Sequence, residues 1–186
     1  MVNGTHAGLL VTLAVELRGT ACTVRSYRAT DVERLAYYGN NRAVWLNLRD
    51  VFPHPYRVED GARYITRCRE AEPETSFAID VGGEAVGGIS IRAGTDVERF
   101  GAEIGYWLGE PFWGRGIATA AVLLVTAYAF EVCKLERVYA LPFARNTASA
   151  RVLEKAGYMR EGVLRHHAFK DGAFTDQFLY AKLSHE

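Results

Sequence analysis

The chain has 186 residues, 22 basic and 22 acidic side chains, and is 49% hydrophobic, so its length and composition suit one globular domain with a real core and no disorder. With a formal net charge of zero, no overall field draws it to nucleic acid or an acidic membrane. Cys22, Cys68 and Cys133 lie far apart, with no CxxC pair and no metal-like histidine spacing; this argues against a metal site and a disulfide framework and makes a reducing cytoplasm the simplest home.

Leu9 to Leu17 is apolar but too short to span a bilayer and lacks a basic region before it, so it reads as structure rather than a targeting signal. Leu10 to Leu17 alternates loosely, residues 18–20 supply a turn, and Cys22 to Tyr27 alternates again, which predicts an N-terminal hairpin. Thr30 and Glu33 have the spacing of a capping box, starting a helix to about Asn41. Trp45, Leu46, Leu48, Val51 and Phe52 follow. Pro53 and Pro55 then enforce extended backbone around His54 and Tyr56. A second helix covers Val58 to Ala71.

Ser76 to Val81 and Ala85 to Arg92 form a hairpin about Gly82 and Gly83. Ala102 to Leu108 is the next strand, and it runs into Gly114-Arg115-Gly116, which opens a helix with no charge until Glu131. Being apolar nearly all round, that helix is expected to lie buried across a sheet. Arg137 to Leu141 is a short strand, and Asn146 to Ala156 a helix with Asn146 as its cap and Gly157 as the left-handed residue ending it. Tyr158 to Phe169 and Phe174 to Leu183 close the chain as a hairpin about Asp171 and Gly172. With no repeat, low-complexity tract or linker, residues 1–186 read as one α/β domain whose sheet is mostly antiparallel.

The stretch from Leu108 to Thr119 carries the chemistry. A strand entering a glycine turn that opens a helix is an anion site, because the first helical amides lack carbonyl partners and the dipole favours negative charge. Glycine at 114 and 116 removes the side chains that would keep a phosphate away. A P-loop needs a Gly-Lys-Ser or Gly-Lys-Thr ending, which is absent, and a dinucleotide fingerprint needs a third glycine where Thr119 stands. A different phosphate-bearing cofactor is required.

Three blocks in order, Ala102 to Leu108, Phe112 to Thr119 and Asn146 to Tyr158, resemble the GNAT acetyltransferases, and within them the branch of RimJ/RimL-type ribosomal-protein N-terminal acetyltransferases. The likeness covers nearly the whole second half of the chain; the first half is similar in layout and weaker in motif. One departure is Trp113, counted with the cofactor residues, where the wider family often has Gln or Arg. The resemblance implies the GNAT fold: a mixed, mostly antiparallel central sheet flanked by about four helices, with splayed central strands. It implies acetyl-CoA as cosubstrate and no metal, with the pyrophosphate on the amides from Gly114 through Arg115, Gly116, Ile117 and Ala118 to Thr119. The pantetheine would run between the splayed strands, pairing near Trp107 and Leu108. By the same likeness Asn146 contacts the pantetheine and Ser149 approaches the thiol, although a helix cap and a first-turn hydroxyl account for both residues equally.

The implied reaction is direct attack of a neutral primary amine on the thioester. A lysine amine near pKa 10.4 is neutral about once in 2,500 at pH 7, at about 4.6 kcal/mol, whereas an α-amine near 7.8 costs about 1 kcal/mol. A peptide or protein N-terminal α-amine is therefore the first choice of acceptor. Glu103 is the candidate base, with an ordinary strand ion pair as its plain structural alternative. Ser149 is the candidate acid for the leaving thiolate, since many relatives place a tyrosine near Leu153 and none stands there. Trp45, Phe52, His54 and Tyr56 are candidates for the acceptor groove. His166 and His167, at adjacent strand positions, should face opposite sides of the sheet, and His166 joins that set. Two alternatives stay open: a small-molecule N-acetyltransferase for a polyamine or antibiotic amine, and an inactive acetyl-CoA-binding or interaction module. The state is read as monomer or homodimer, with no nucleic-acid or membrane partner.

Overall fold

The computed structural model describes residues 14–186. Its centre is an eight-stranded sheet built from β1 (Glu16–Arg18), β2 (Thr23–Arg25), β3 (Ser76–Val81), β4 (Glu84–Ala93), β5 (Gly101–Leu108), β6 (Arg137–Ala140), β7 (Met159–Lys170) and β8 (Ala173–Leu183). The strand order is β1-β2-β3-β4-β5-β6-β8-β7. Every pairing is antiparallel except β5 with β6. The helices are α1 (Val32–Gly39), α2 (Arg42–Trp45), α3 (Val58–Glu70), α4 (Ile117–Glu131) and α5 (Thr147–Lys155). This is the expected α/β GNAT architecture with five helices, the extra one being the four-residue α2 in a stretch read from sequence as loop. Asn41 starts it, its Oδ1 accepting from the Ala43 amide at 2.7 Å.

Helices cover both faces of the sheet. One core cluster joins Val86, Ile89, Ile104 and Val138 to Ala121, Val122 and Val125 of α4 and Leu153 of α5. The second joins Leu35 of α1 and Ile65 and Cys68 of α3 to Ala78 and Ala85 on the opposite face. The central strands are therefore apolar at consecutive positions: Phe77, Ala78 and Ile79 are all fully buried, as strands covered on both faces require. The outer strand β7 instead alternates between half-buried and exposed residues over 162–165.

Three local expectations change. The first hairpin forms, β1 pairing with β2, but residues 10–13 of the expected first strand lie outside the described residues. The Thr30–Glu33 capping box is absent. A 3-10 turn, Ala29–Asp31, precedes α1, and Asp31 Oδ2 accepts from the Arg28 amide at 2.8 Å. Asp31 takes this part because it is buried beside Arg25, whose guanidinium bridges it to Asp80 at 2.7 Å on each side. Helix α4 is not buried all round, since Leu123 is 44% exposed; only the face against the sheet is covered.

Candidate active site

The parallel pairing of β5 and β6 spans only Gly101 to Glu103 against Arg137 to Tyr139. Beyond Glu103 the two strands part, and β5 continues to Leu108 paired only with β4. A cavity of about 1010 Å³ opens there, bounded by β5, the α4 turn, α5, α3 and the loop before α3. The splay thus turns a sheet interior into a cleft with two ends.

One end is the α4 N-terminus. Gly114 and Gly116 have φ of +73° and +77°, left-handed conformations that suit glycine, and a Cβ at either position would meet nothing within 4 Å. The emptiness in front of Gly116 is therefore open cleft rather than protein packing. No side chain caps the helix, and Ala120 is the first residue to donate back, to the Gly116 carbonyl at 3.0 Å. Trp113 closes the turn by donating its indole N–H to the Leu108 carbonyl at 2.7 Å. The Arg115 guanidinium stacks over Phe112 at 5.5 Å. Every residue expected at the cofactor, from Trp107 and Leu108 through 113–119 to Asn146 and Ser149, lies on the cavity wall.

On the facing wall, Asn146 caps α5, its side-chain oxygen accepting from the Ser149 amide at 3.1 Å. The Ser149 hydroxyl in turn lies 2.8 Å from the Tyr106 hydroxyl. Burial pushes the Tyr106 phenol well above its usual range, so it stays protonated near neutrality. Tyr106 was missed in the sequence because an aromatic at an inward strand position reads as core.

The other end lies under α3 and the preceding loop. Glu103, with a side chain 13% exposed, is clamped by Arg49 at 2.5 Å and by Arg92, each guanidinium taking a different carboxylate oxygen. The ion-pair role foreseen for Glu103 is thus present, in doubled form, although neither arginine was foreseen. Phe52 stacks on Tyr56 at 4.5 Å and meets Trp107 edge-on at 5.4 Å. Both Phe52 and Tyr56 line the cavity.

Trp45, His54 and His166 do not lie among the lining residues. Trp45 stacks on His54 at 5.5 Å, with the buried Lys170 ammonium 3.5 Å over its ring and bonded to Asp50 at 2.6 Å. These two aromatics strap the loop to the β7–β8 hairpin instead of facing the cleft. His166 and His167 turn to different partners, three residues apart on β8, from an irregular stretch of β7. The β7 register shifts between Leu164 and Ala168, His166 takes φ +49°, and its ring stacks on Phe174 at 5.7 Å. His167 bonds Gln177 at 2.6 Å, and Gln177 reaches the cavity wall.

Residues 22–159 match the model of the acetyltransferase (GNAT) domain. The chain belongs to the GNAT family. Like other members it is an acetyl-CoA-dependent N-acetyltransferase. It is 33% identical over 175 residues to a probable N-acetyltransferase, YjcK, of Bacillus subtilis (strain 168), covering 90% of this chain and 97% of that one. It is 26% identical over 165 residues to the spermidine N(1)-acetyltransferase of Escherichia coli (strain K12), covering 88% and 86%. Among solved structures, Mycobacterium smegmatis RimJ in complex with CoA-disulfide superposes with a TM-score of 0.81 at 27% identity, covering 92% and 87%. This GNAT chain therefore has RimJ-type structural neighbours alongside polyamine-acetylating relatives. Among the described residues, no helix is long and apolar enough to cross a membrane.

Proposed function

We propose that this acetyltransferase acts on the N-terminal α-amine of a peptide or protein. The observation that carries this reading is the Glu103 clamp. Both oxygens of the carboxylate already accept from guanidiniums, so the clamped acid is not free to pair with the ammonium group of a strongly basic amine. An α-amine needs only about 1 kcal/mol to become neutral at pH 7, a lysine- or polyamine-type amine about 4.6. A polyamine would also need unpaired acidic groups along its path. Asp60, the other carboxylate on that wall, is bound by Arg63 and by the Arg57 amide.

The open space before Gly116 and the uncapped first turn of α4 fit a pyrophosphate, and the free edge of β5 beyond Glu103 fits a pantetheine arm. Gly114 to Thr119 would hold the first, with Asn146 and the residues around Trp107 and Leu108 beside the second. The cosubstrate supplies an acetyl thioester. Glu103 receives the amine proton through a water within its arginine cage. Ser149 gives its hydroxyl proton to the departing thiolate while taking one from solvent water, and Tyr106 holds that hydroxyl in place.

Thiol release from acetyl-CoA, followed with intact-mass detection, tests the acceptor. Peptides with free N-termini should be acetylated and their N-formylated counterparts not. Turnover of spermidine or an aminoglycoside with none on any peptide would overturn the reading.

A further inference from the structure

The cleft wall under α3 carries a charge pattern that the transfer reaction does not use. Asp60, Arg63, Tyr64 and Arg67 all line the cavity, and their spacing of three and four places them on one face of the helix. Arg63 is occupied by Asp60 yet remains 71% exposed at its side chain. Arg67 lies over the Tyr64 ring at 5.5 Å and forms no ion pair among the described residues; residues 1–13 contain no carboxylate to supply one. With Arg49 on the loop, this end of the cleft is lined by three guanidiniums against the two carboxylates Asp60 and Glu103, and Arg92 pairs with Glu103 from off the wall. An amine entering it passes a surplus of positive charge. A polycation is repelled there, and an acceptor with anionic groups near its amine is drawn in.

Resting on the α-amine reading above, we propose that the acceptor is an acidic N-terminus: a peptide with an aspartate or glutamate within its first few residues, received by Arg67 with Arg63 beside it. Arg67 is the centre of the proposal because its guanidinium has no carboxylate partner among the described residues to give up. Its place over the Tyr64 ring keeps the planar group at the cleft wall, where a carboxylate can take two parallel N–H bonds. Arg67 is a specificity residue, distinct from the groups that move protons.

The test compares peptides of one length that differ only at residues two to four, bearing acidic, neutral or basic side chains, with free aspartate as a small acidic amine. The kcat/KM for acidic peptides should exceed that for basic ones by roughly tenfold at low salt, as expected for two partly exposed charge contacts, and the gap should narrow as salt rises. Arg67→Ala should lower the acidic-to-neutral ratio towards one, chiefly through KM, with Arg67→Lys restoring part of it. Arg67→Glu should reverse the order of acidic and basic peptides. Position 67 is exposed, and an unchanged melting temperature verifies that each variant folds. Acidic, neutral and basic peptides used equally well, an acidic preference that survives Arg67→Glu, or free aspartate used better than every peptide would each overturn the proposal. Equal use of all peptides would leave the α-amine reading standing. Turnover of small amines with no peptide used at all would instead remove that reading and this one with it.

Discussion

The Ser149 hydroxyl has two neighbours that determine what it can do. Its amide is held by the Asn146 cap and its oxygen by Tyr106, whose phenol burial keeps protonated. A hydroxyl fixed at both ends loses little freedom when it meets a thiolate, which is how a weak acid becomes a useful one. Ser149→Ala is expected to lower kcat by about 100-fold, the lower end of the range for a general acid. Tyr106→Phe keeps the ring and removes one hydrogen bond, so a fall on the order of tenfold is expected. Both should leave the KM for acetyl-CoA nearly unchanged in steady-state thiol-release assays. An unaltered kcat in Ser149→Ala would assign the leaving-group proton elsewhere.

At the level of elements, α4 and the turn before it form the part of the cleft most sensitive to a single substitution. Gly116 is left-handed and faces open space, where a Cβ meets no protein atom within 4 Å, so a glutamate there puts bulk and negative charge before the uncapped amides. Calorimetry on Gly116→Glu is expected to show acetyl-CoA affinity reduced by about 100-fold or more, since a repelled anion replaces an attracted one at the helix dipole. The left-handed backbone costs a side-chain-bearing residue about 1 kcal/mol, which for a chain of this size lowers the melting temperature by about 2–4 °C. Gly116→Ala carries the same strain without the charge and should keep most of the affinity. Equal losses in the two variants would move the site away from this turn.

For the whole molecule, the buried phenols and thiols set an alkaline limit to stability. Burial raises Cys22 from 9.0 to about 11, and Tyr56 and Tyr158 from 10.0 to about 12. These groups are neutral in the fold, so the unfolded chain releases their protons first as pH rises. Their contribution is complete below the ordinary values and is lost between about pH 9 and 11 for the thiol and between about pH 10 and 12 for the two phenols. The melting temperature should hold up to about pH 9 and then fall progressively. A melting temperature still level at about pH 11 would show that these groups ionise without unfolding.

The amino-acid sequence by itself determined the features that arise from neighbours along the chain. The glycine turn at 114–116, the Asn146 cap, the left-handed Gly157 and the tight hairpin turns at Gly82-Gly83 and Asp171-Gly172 all follow from backbone preferences over a few residues, and the family followed from the likeness of the blocks 102–108, 112–119 and 146–158 to the GNAT acetyltransferases. Only the tertiary structure decided the acceptor half of the cleft. The Arg49 bond to Glu103 joins residues 54 apart, and the Tyr106 bond to Ser149 joins residues 43 apart; no local rule says which arginine a carboxylate will meet across a sheet. Trp45, His54 and His166 had the composition of a binding groove, yet each found a closer aromatic or cationic partner outside it. Side-chain pairing between distant elements depends on how the strands splay and where the helices dock. Local backbone preferences carry no record of either.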